Sequence, residues 1–392
     1  MIKYIILLTT MVSIISCKPE HKELDNDVDL PFVLDLNAIS KKIIDLSELM
    51  PGERVLLVMA PGEFDDIINE LRESIEVKNA VYLGTMSVSD LQPEEWTTTW
   101  ISERMNKDDE QLEALFEDVD LGIMLPGASP IHQPYKVLQS MLEGTPKRTI
   151  HFHWAGAYDL NGNLLVTDDE KSKFYQNVIL NTDYKSLSTA QLAFETAMRN
   201  KVIQVTTNEG TDIRFKIGNR PVTRQDGDAS RSRASQGLNL IDREIEIPAG
   251  AIRVAPIEES VNGSIAFPDA KWDGTIVKDL IVTIESGKII DVKATESQEA
   301  ALSEMNKAGN AGKSFREFAL GFNPMMTIQD GDVPWIPYYG YGSGVVRLSL
   351  GDNTELGGNV GGGYVRWNFF PKATVKVGDE VWVENGTMIK EF

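Results

Sequence analysis

Cysteine, histidine and basic charge are all scarce in this chain. Of 392 residues, one is cysteine (Cys17) and four are histidine (His21, His132, His151 and His153). A single thiol excludes an internal disulfide, and no imidazole follows His153. Acidic residues number 59 against 38 Lys and Arg, a net charge of −21, which argues against nucleic acid as a partner. A phosphate-binding loop is also missing. Ala60-Pro-Gly-Glu, after the first predicted strand, lacks both the Gly-x-Gly-x-x-Gly and the Walker spacing.

What is there describes a globular chain, 42% hydrophobic and 25% charged, long enough for two domains. Residues 1–17 read as a signal peptide. Met1-Ile-Lys supplies a basic start, and the apolar run Tyr4 to Ile15 is too short to span a membrane well. Ile14-Ile-Ser-Cys17 resembles a bacterial lipobox, so Cys17 is the expected lipidation site. Residues 18–30 are polar and read as a tether. A lipid-anchored protein of the bacterial envelope is expected, held to a membrane and facing the periplasm or the cell surface.

From Pro31 to about Asn200 apolar runs alternate with helical spacings. Arg54 to Ala60 is continuous, as for a strand covered on both faces. Ala80 to Gly84, Leu121 to Gly127 and Thr149 to Trp154 read as further strands. Phe64, Ile67, Ile68, Leu71 and Ile75 share a helix face, and so do Tyr135, Leu138, Met141 and Leu142. A helix is expected to start at Ser188, with Gln191 completing a capping box. Residues 31–200 are thus an α/β domain with a mostly parallel sheet. Residues 201–392 turn β-rich, with hairpins predicted at Asn208-Glu-Gly-Thr-Asp, Glu285-Ser-Gly and Gly378-Asp-Glu.

Arg347 to Asn368 is the most unusual stretch. It reads as two strands joined by the glycine-rich link Gly351 to Gly363. Side by side, these strands are expected to bring Arg347, Arg366 and Asn368 to one spot. Buried donors of this kind call for an anionic partner. Nearby runs carry a resemblance: Gly210-Thr-Asp-Ile-Arg-Phe, Pro248-Ala-Gly-Ala-Ile-Arg-Val-Ala-Pro-Ile-Glu-Glu-Ser-Val-Asn-Gly, and Arg316-Glu-Phe-Ala-Leu-Gly-Phe-Asn-Pro.

These runs are similar to the aminopeptidase T family of dinuclear-metal aminopeptidases, which shares its fold with an iron dioxygenase that cleaves dihydroxypyridine rings. The resemblance implies an N-terminal α/β sheet domain, a C-terminal β-rich aminopeptidase-T-like domain carrying the former metal site, and a homodimer. Its metal ligands fall on Ala251, Glu317, Arg347, Arg366 and Asn368, of which only Glu317 keeps a donor. A guanidinium has no lone pair to give, so the metal site reads as degenerate and no cofactor is expected.

Two readings of these residues stay open. Glu317 either pairs with Arg347 or Arg366 as a structural relic, or serves as a catalytic base. In the second case the arginines, with Asn368, Arg253 and Tyr341, bind a small anionic or peptide-like ligand. The first function is therefore a metal-independent peptidase homologue. Its alternatives are an active aminopeptidase using Glu317 with zinc or iron on other ligands, and a structural or interaction lipoprotein. Arg224 to Arg233 would be a lid or an exposed loop. His151 and His153 share a strand face and are expected to pack between the domains. Tyr338, Tyr339 and Tyr341 could stack a ligand or cover a dimer contact, and His132, in Ser129-Pro-Ile-His, has no assignable chemistry.

Overall fold

Four apolar runs of the N-terminal half form parallel strands, Arg54–Met59, Val81–Ser87, Leu121–Met124 and Arg148–Phe152. In this computed structural model residues 32–390 are described, apart from 106, 143–145, 155, 237–241 and 331–332. The signal peptide, Cys17 and the tether lie outside them. Helices cover both faces of the parallel sheet. Val55, Leu57 and Ile123 pack with Ile39, Ile43, Ile67 and Leu71, whereas Leu56, Val58 and Met124 pack with Ile101, Phe116 and Leu138. This explains the unbroken apolar run of the first strand.

The sheet is completed from much further along the chain. Glu244–Ile247 pairs in parallel with Arg148–Phe152 and forms its edge. Residues 31–200 alone therefore do not contain the whole sheet. The link Pro248-Ala-Gly then carries the chain straight into a second, antiparallel sheet. The strand order there is Val365–Phe370, Val346–Gly351, Phe315–Gly321, Ala251–Val254 and Thr223–Arg224. A third sheet of eight strands holds the three predicted hairpins.

One face of the second sheet is core. Ile252, Val254, Phe318, Leu320, Leu348 and Leu350 pack with Val205, Ile213, Ile265 and Val375 of the third sheet and with Phe194. The helix Tyr184–Met198 that carries Phe194 starts earlier than the capping box suggests. Asp183 caps it, accepting from the Ser186 N–H at 3.0 Å. Ser188 and Gln191 lie inside the helix and bond outward to Asp226 (2.8 Å) and the Gln225 carbonyl (3.1 Å). Tertiary partners claimed both side chains. Among the described residues no helix is long and apolar enough to cross a membrane.

Candidate functional site

The other face of the second sheet points at the C-terminal ends of the parallel strands, where open α/β sheets bind ligands. Pairing across it sets Arg253 beside Ala319, Ala319 beside Arg347, Glu317 beside Ser349, and Ser349 beside Trp367. Glu317 is fully buried and shared by two guanidiniums. Arg253 donates from Nη2 to Oε2 at 3.0 Å, and Arg347 donates from Nε to Oε1 at 3.0 Å. Arg316 and Arg253 also reach Glu355 from the glycine-rich link, Arg253 at 3.2 Å. Burial pushes the Glu317 carboxyl up, but Arg253, then Arg347 and Arg316, outweigh it and hold the group well below the usual carboxylate range.

Three guanidiniums therefore share two carboxylates, and two of them are incompletely used: Arg316 at Nε and Arg347 at Nη2 make no hydrogen bond there, and Arg347 is the one that lines the cleft. It is 2% exposed. Its Nη1 donates to the Tyr339 carbonyl at 3.1 Å. Its Nη2 lies 2.7 Å from Glu317 Oε1 but makes no hydrogen bond. The guanidinium stands over the Trp367 ring at 4.9 Å. Tyr338 and Tyr339, which hold the carbonyl in place, both have left-handed backbones (φ 34° and 50°). Such a conformation costs roughly 1–3 kcal/mol per residue and gathers at functional sites.

The facing wall comes from the parallel sheet. Strand alternation buries Ile245 and Ile247 in the core and turns Glu244 and Glu246 to the cleft. Tyr135 donates to Glu244 and lies 2.7 Å from His151 Nδ1, and Gln139 donates to Glu244 at 2.8 Å. Burial pushes the Glu244 carboxyl up, opposed by the bonds from Tyr135 and Gln139. Burial also pushes His151 down to about 3, so it is neutral, and His153 is lowered by burial and by its neighbour. The two imidazoles stack with centroids 3.4 Å apart. Tyr341 donates to Glu246. Together these walls enclose a cavity of ≈ 210 Å³, lined by Arg253, Arg347, Glu246, His153, Tyr341 and Trp367 among others.

The expected convergence of Arg347 with Arg366 and Asn368 does not occur. Arg347 pairs with Phe369, and Leu350 pairs with Arg366. Val365, Trp367 and Phe369 thus share the face of Arg347, while Arg366 and Asn368 share the opposite one. A one-residue offset in register is enough to reverse every side chain. Arg366 instead donates to Glu304 at 2.8 Å and lies 3.4 Å over the Trp272 ring. Arg253, Tyr341 and Arg347 do come together with Glu317. Ala251 lies on the same face, packed among Tyr338, Tyr341 and Met326. His132 only closes a local turn, its Nδ1 accepting from the Ser129 N–H at 3.1 Å.

The segment Arg224 to Arg233 is neither a lid nor an exposed loop. Arg233 is buried between Asp226 and Asp242, with Nη2 2.7 Å from Asp242 Oδ1. Gln225 reaches the cleft wall. Sequence reasoning missed Tyr135, Gln139, Glu244, Glu246, Glu355 and Trp367. One signal was present: Glu-Ile-Glu-Ile before Pro248 alternates carboxylates with apolar residues, the mark of a strand with one polar face.

The comparisons agree with this architecture. A family model described as thermophilic metalloprotease (M29) matches residues 196–332, the part that carries Arg253 and Glu317 but stops short of Arg347. Two solved structures share the fold across the chain. One is 2,5-dihydroxypyridine dioxygenase from Pseudomonas putida KT2440, with TM-score 0.61 and 16% identity over 91% of this chain and 97% of that one. The other is wild-type AmpT from Thermus thermophilus, with TM-score 0.55 and 14% identity over 91% of this chain and 99% of that one. No curated protein matches the sequence. The resemblance to aminopeptidase T, and the fold it shares with the dioxygenase, are thus both found.

The matched family is described as a metalloprotease, and the carboxylates that face the cleft here are already engaged by neighbouring donors. Glu317 already accepts from two guanidiniums, and Glu244 from Tyr135 and Gln139. Arg347 brings a fixed positive charge and no lone pair to the centre of the sheet face. Among the described residues, no group of three or more His, Cys, Asp or Glu could hold a metal ion.

Proposed function

We propose that this chain is a metal-independent homologue of the M29 peptidases. It binds a small anionic or peptide-like ligand in the cleft between the two sheets. One observation carries the reading: the buried guanidiniums of Arg253 and Arg347 line a ≈ 210 Å³ cavity, and Arg347 Nη2, though 2.7 Å from Glu317 Oε1, makes no hydrogen bond. A buried guanidinium with incomplete hydrogen bonding is costly, and a ligand carboxylate or phosphate completes it. Arg253 and Tyr341 complete the wall, and Glu246 opposite them suits a ligand amine. Glu317 acts in this reading as the anion that positions Arg253 and Arg347. A carboxyl held so far below its usual range is a poor base. Lipidation at Cys17 anchors the protein to a membrane of the bacterial envelope, and the family resemblance supports a homodimer.

Thermal unfolding of protein lacking residues 1–17, with acetate, succinate, phosphate and simple dipeptides, tests the cleft. At least one should stabilise the protein saturably, and Arg347→Lys, which keeps the charge but not the fork, should weaken the effect about tenfold. Equal responses in both proteins, or none in either, would sink the ligand reading. Near-stoichiometric zinc or iron after incubation would instead restore a metal-dependent aminopeptidase.

A further inference from the structure

A groove of ≈ 400 Å³ runs along the free edge of the second sheet, separate from the interior of the cleft. Its floor is the strand Val365–Phe370, the last in the sheet, which pairs on one side with Val346–Gly351. The register fixes which backbone groups are used. The Asp352 N–H donates to the Tyr364 carbonyl at 2.7 Å, one step beyond the Gly351 and Val365 pair. Hydrogen-bonded pairs alternate along an antiparallel ladder. Arg366, Asn368 and Phe370 therefore spend their N–H and C=O groups on the neighbouring strand. Those of Val365, Trp367 and Phe369 point outward into the groove.

From Val365 to Trp367 this edge lacks the usual protection, whereas Phe369 is 4% exposed. The strand contains no proline, its pairing shows no bulge, and Val365 and Trp367 are 41% and 39% exposed. Two walls rise beside it, Pro268 to Lys271 on one side and Tyr158 with the turn Asn161 to Asn163 on the other. Asn368 lines the groove, is 4% exposed, and its Nδ2 has no hydrogen-bond partner. A buried amide donor left unpaired beside a row of free backbone groups marks a site built for a polar chain. Lys271, exposed, puts a cation on the wall of a protein of net charge −21, whereas Arg366 is paired with Glu304.

We propose that this edge docks an extended acidic peptide segment of a partner protein, which adds to the sheet as a further strand. Main-chain hydrogen bonds to Val365, Trp367 and Phe369 supply affinity, as in other strand additions. A carboxylate side chain meets Lys271, and an acceptor meets Asn368 Nδ2. A single chain suits the space better than a second copy. Each copy carries the same two walls and the same cation, so two such edges would collide and repel. This assignment is independent of the cleft ligand.

The test is fluorescence anisotropy with a labelled eight-residue peptide of alternating Glu and Val, titrated with the protein lacking residues 1–17. Three comparisons are expected to weaken binding about tenfold or more: Lys-Val peptide in place of Glu-Val, the Glu-Val peptide methylated at every backbone nitrogen, and the exposed-site variant Lys271→Glu. Asn368→Leu should weaken it severalfold while keeping the thermal midpoint. Undiminished binding of the methylated peptide would show attraction by charge alone and overturn the proposal. No binding of the Glu-Val peptide, with Lys271→Glu turning a dimer into a monomer in sedimentation, would assign the edge to a second copy and overturn it too.

Discussion

Two of the buried arginine clusters among the described residues are built on opposite balances. Around Arg233, one guanidinium serves two carboxylates. Nε and Nη2 bond to Asp242, Nη1 to Asp226, and Nη2 also to the Arg224 carbonyl. Burial pushes Asp242 up against the pull of Arg233, and every nitrogen of the guanidinium is used. Around Glu317 the ratio is reversed, with three guanidiniums to two carboxylates; Arg316 Nε and Arg347 Nη2 make no hydrogen bond, and Arg253 and Arg347 line a cavity. A network that closes on itself holds a fold together. The one that stays open beside the cavity is what the proposed ligand site rests on.

The sharpest way to break this contrast is to empty each cluster. Arg233→Met leaves two buried aspartates uncompensated and should cost roughly 3–5 kcal/mol in urea unfolding, with ligand responses in the surviving folded protein unchanged. Glu317→Ala should cost a similar amount, roughly 3–5 kcal/mol, and also abolish any ligand effect, because Arg253 and Arg347 lose their anchor. Arg347→Lys should separate the two properties, with a stability change of about 1 kcal/mol or less and a ligand response weakened about tenfold.

The pH dependence sharpens the picture of the opposite wall. His151 is pushed down to about 3 in the fold, below its unfolded value of about 6.5. Unfolding thus takes up a proton between those values, so its stabilising share is complete above about 6.5 and is lost as pH falls toward 3. His151→Asn should flatten that acid decline, as followed by unfolding midpoints between pH 4 and 7. Glu244, raised by burial, works the other way: its share is complete below about 4.3 and fades as pH rises. The smallest effect belongs to Arg366→Gln, about 1 kcal/mol or less, with the cleft unaffected.

The sequence was most informative where a local rule decides. Arg54 to Met59 is apolar on every position because helices cover both of its faces, and the hairpins at Asn208, Glu285 and Gly378 follow from their turn residues. Glu317 and Arg347 were legible as partners. What stayed hidden depends on pairing between distant segments. Parity alone could not say whether Arg366 or Trp367 stands beside Arg347, since either register satisfies the alternation. Ser188 has every local mark of a cap, yet Asp226 holds it inside a helix. Tyr135 and Gln139 gain their meaning only from Glu244, more than a hundred residues away in the chain.

The link Pro248-Ala-Gly has a consequence for how the cleft can behave. It separates Ile247, the last residue of one wall's strand, from Ala251, the first of the other's. Three residues reach at most about 11 Å when extended. Gly250 is pinned besides, since a Cβ there would lie 2.6 Å from the Tyr341 carbonyl oxygen. At this end the two walls are set like the jaws of a locked caliper. Selection among ligands should therefore follow length and thickness, with little yielding by the protein, and a homologous series of dicarboxylates should show a sharp optimum in chain length.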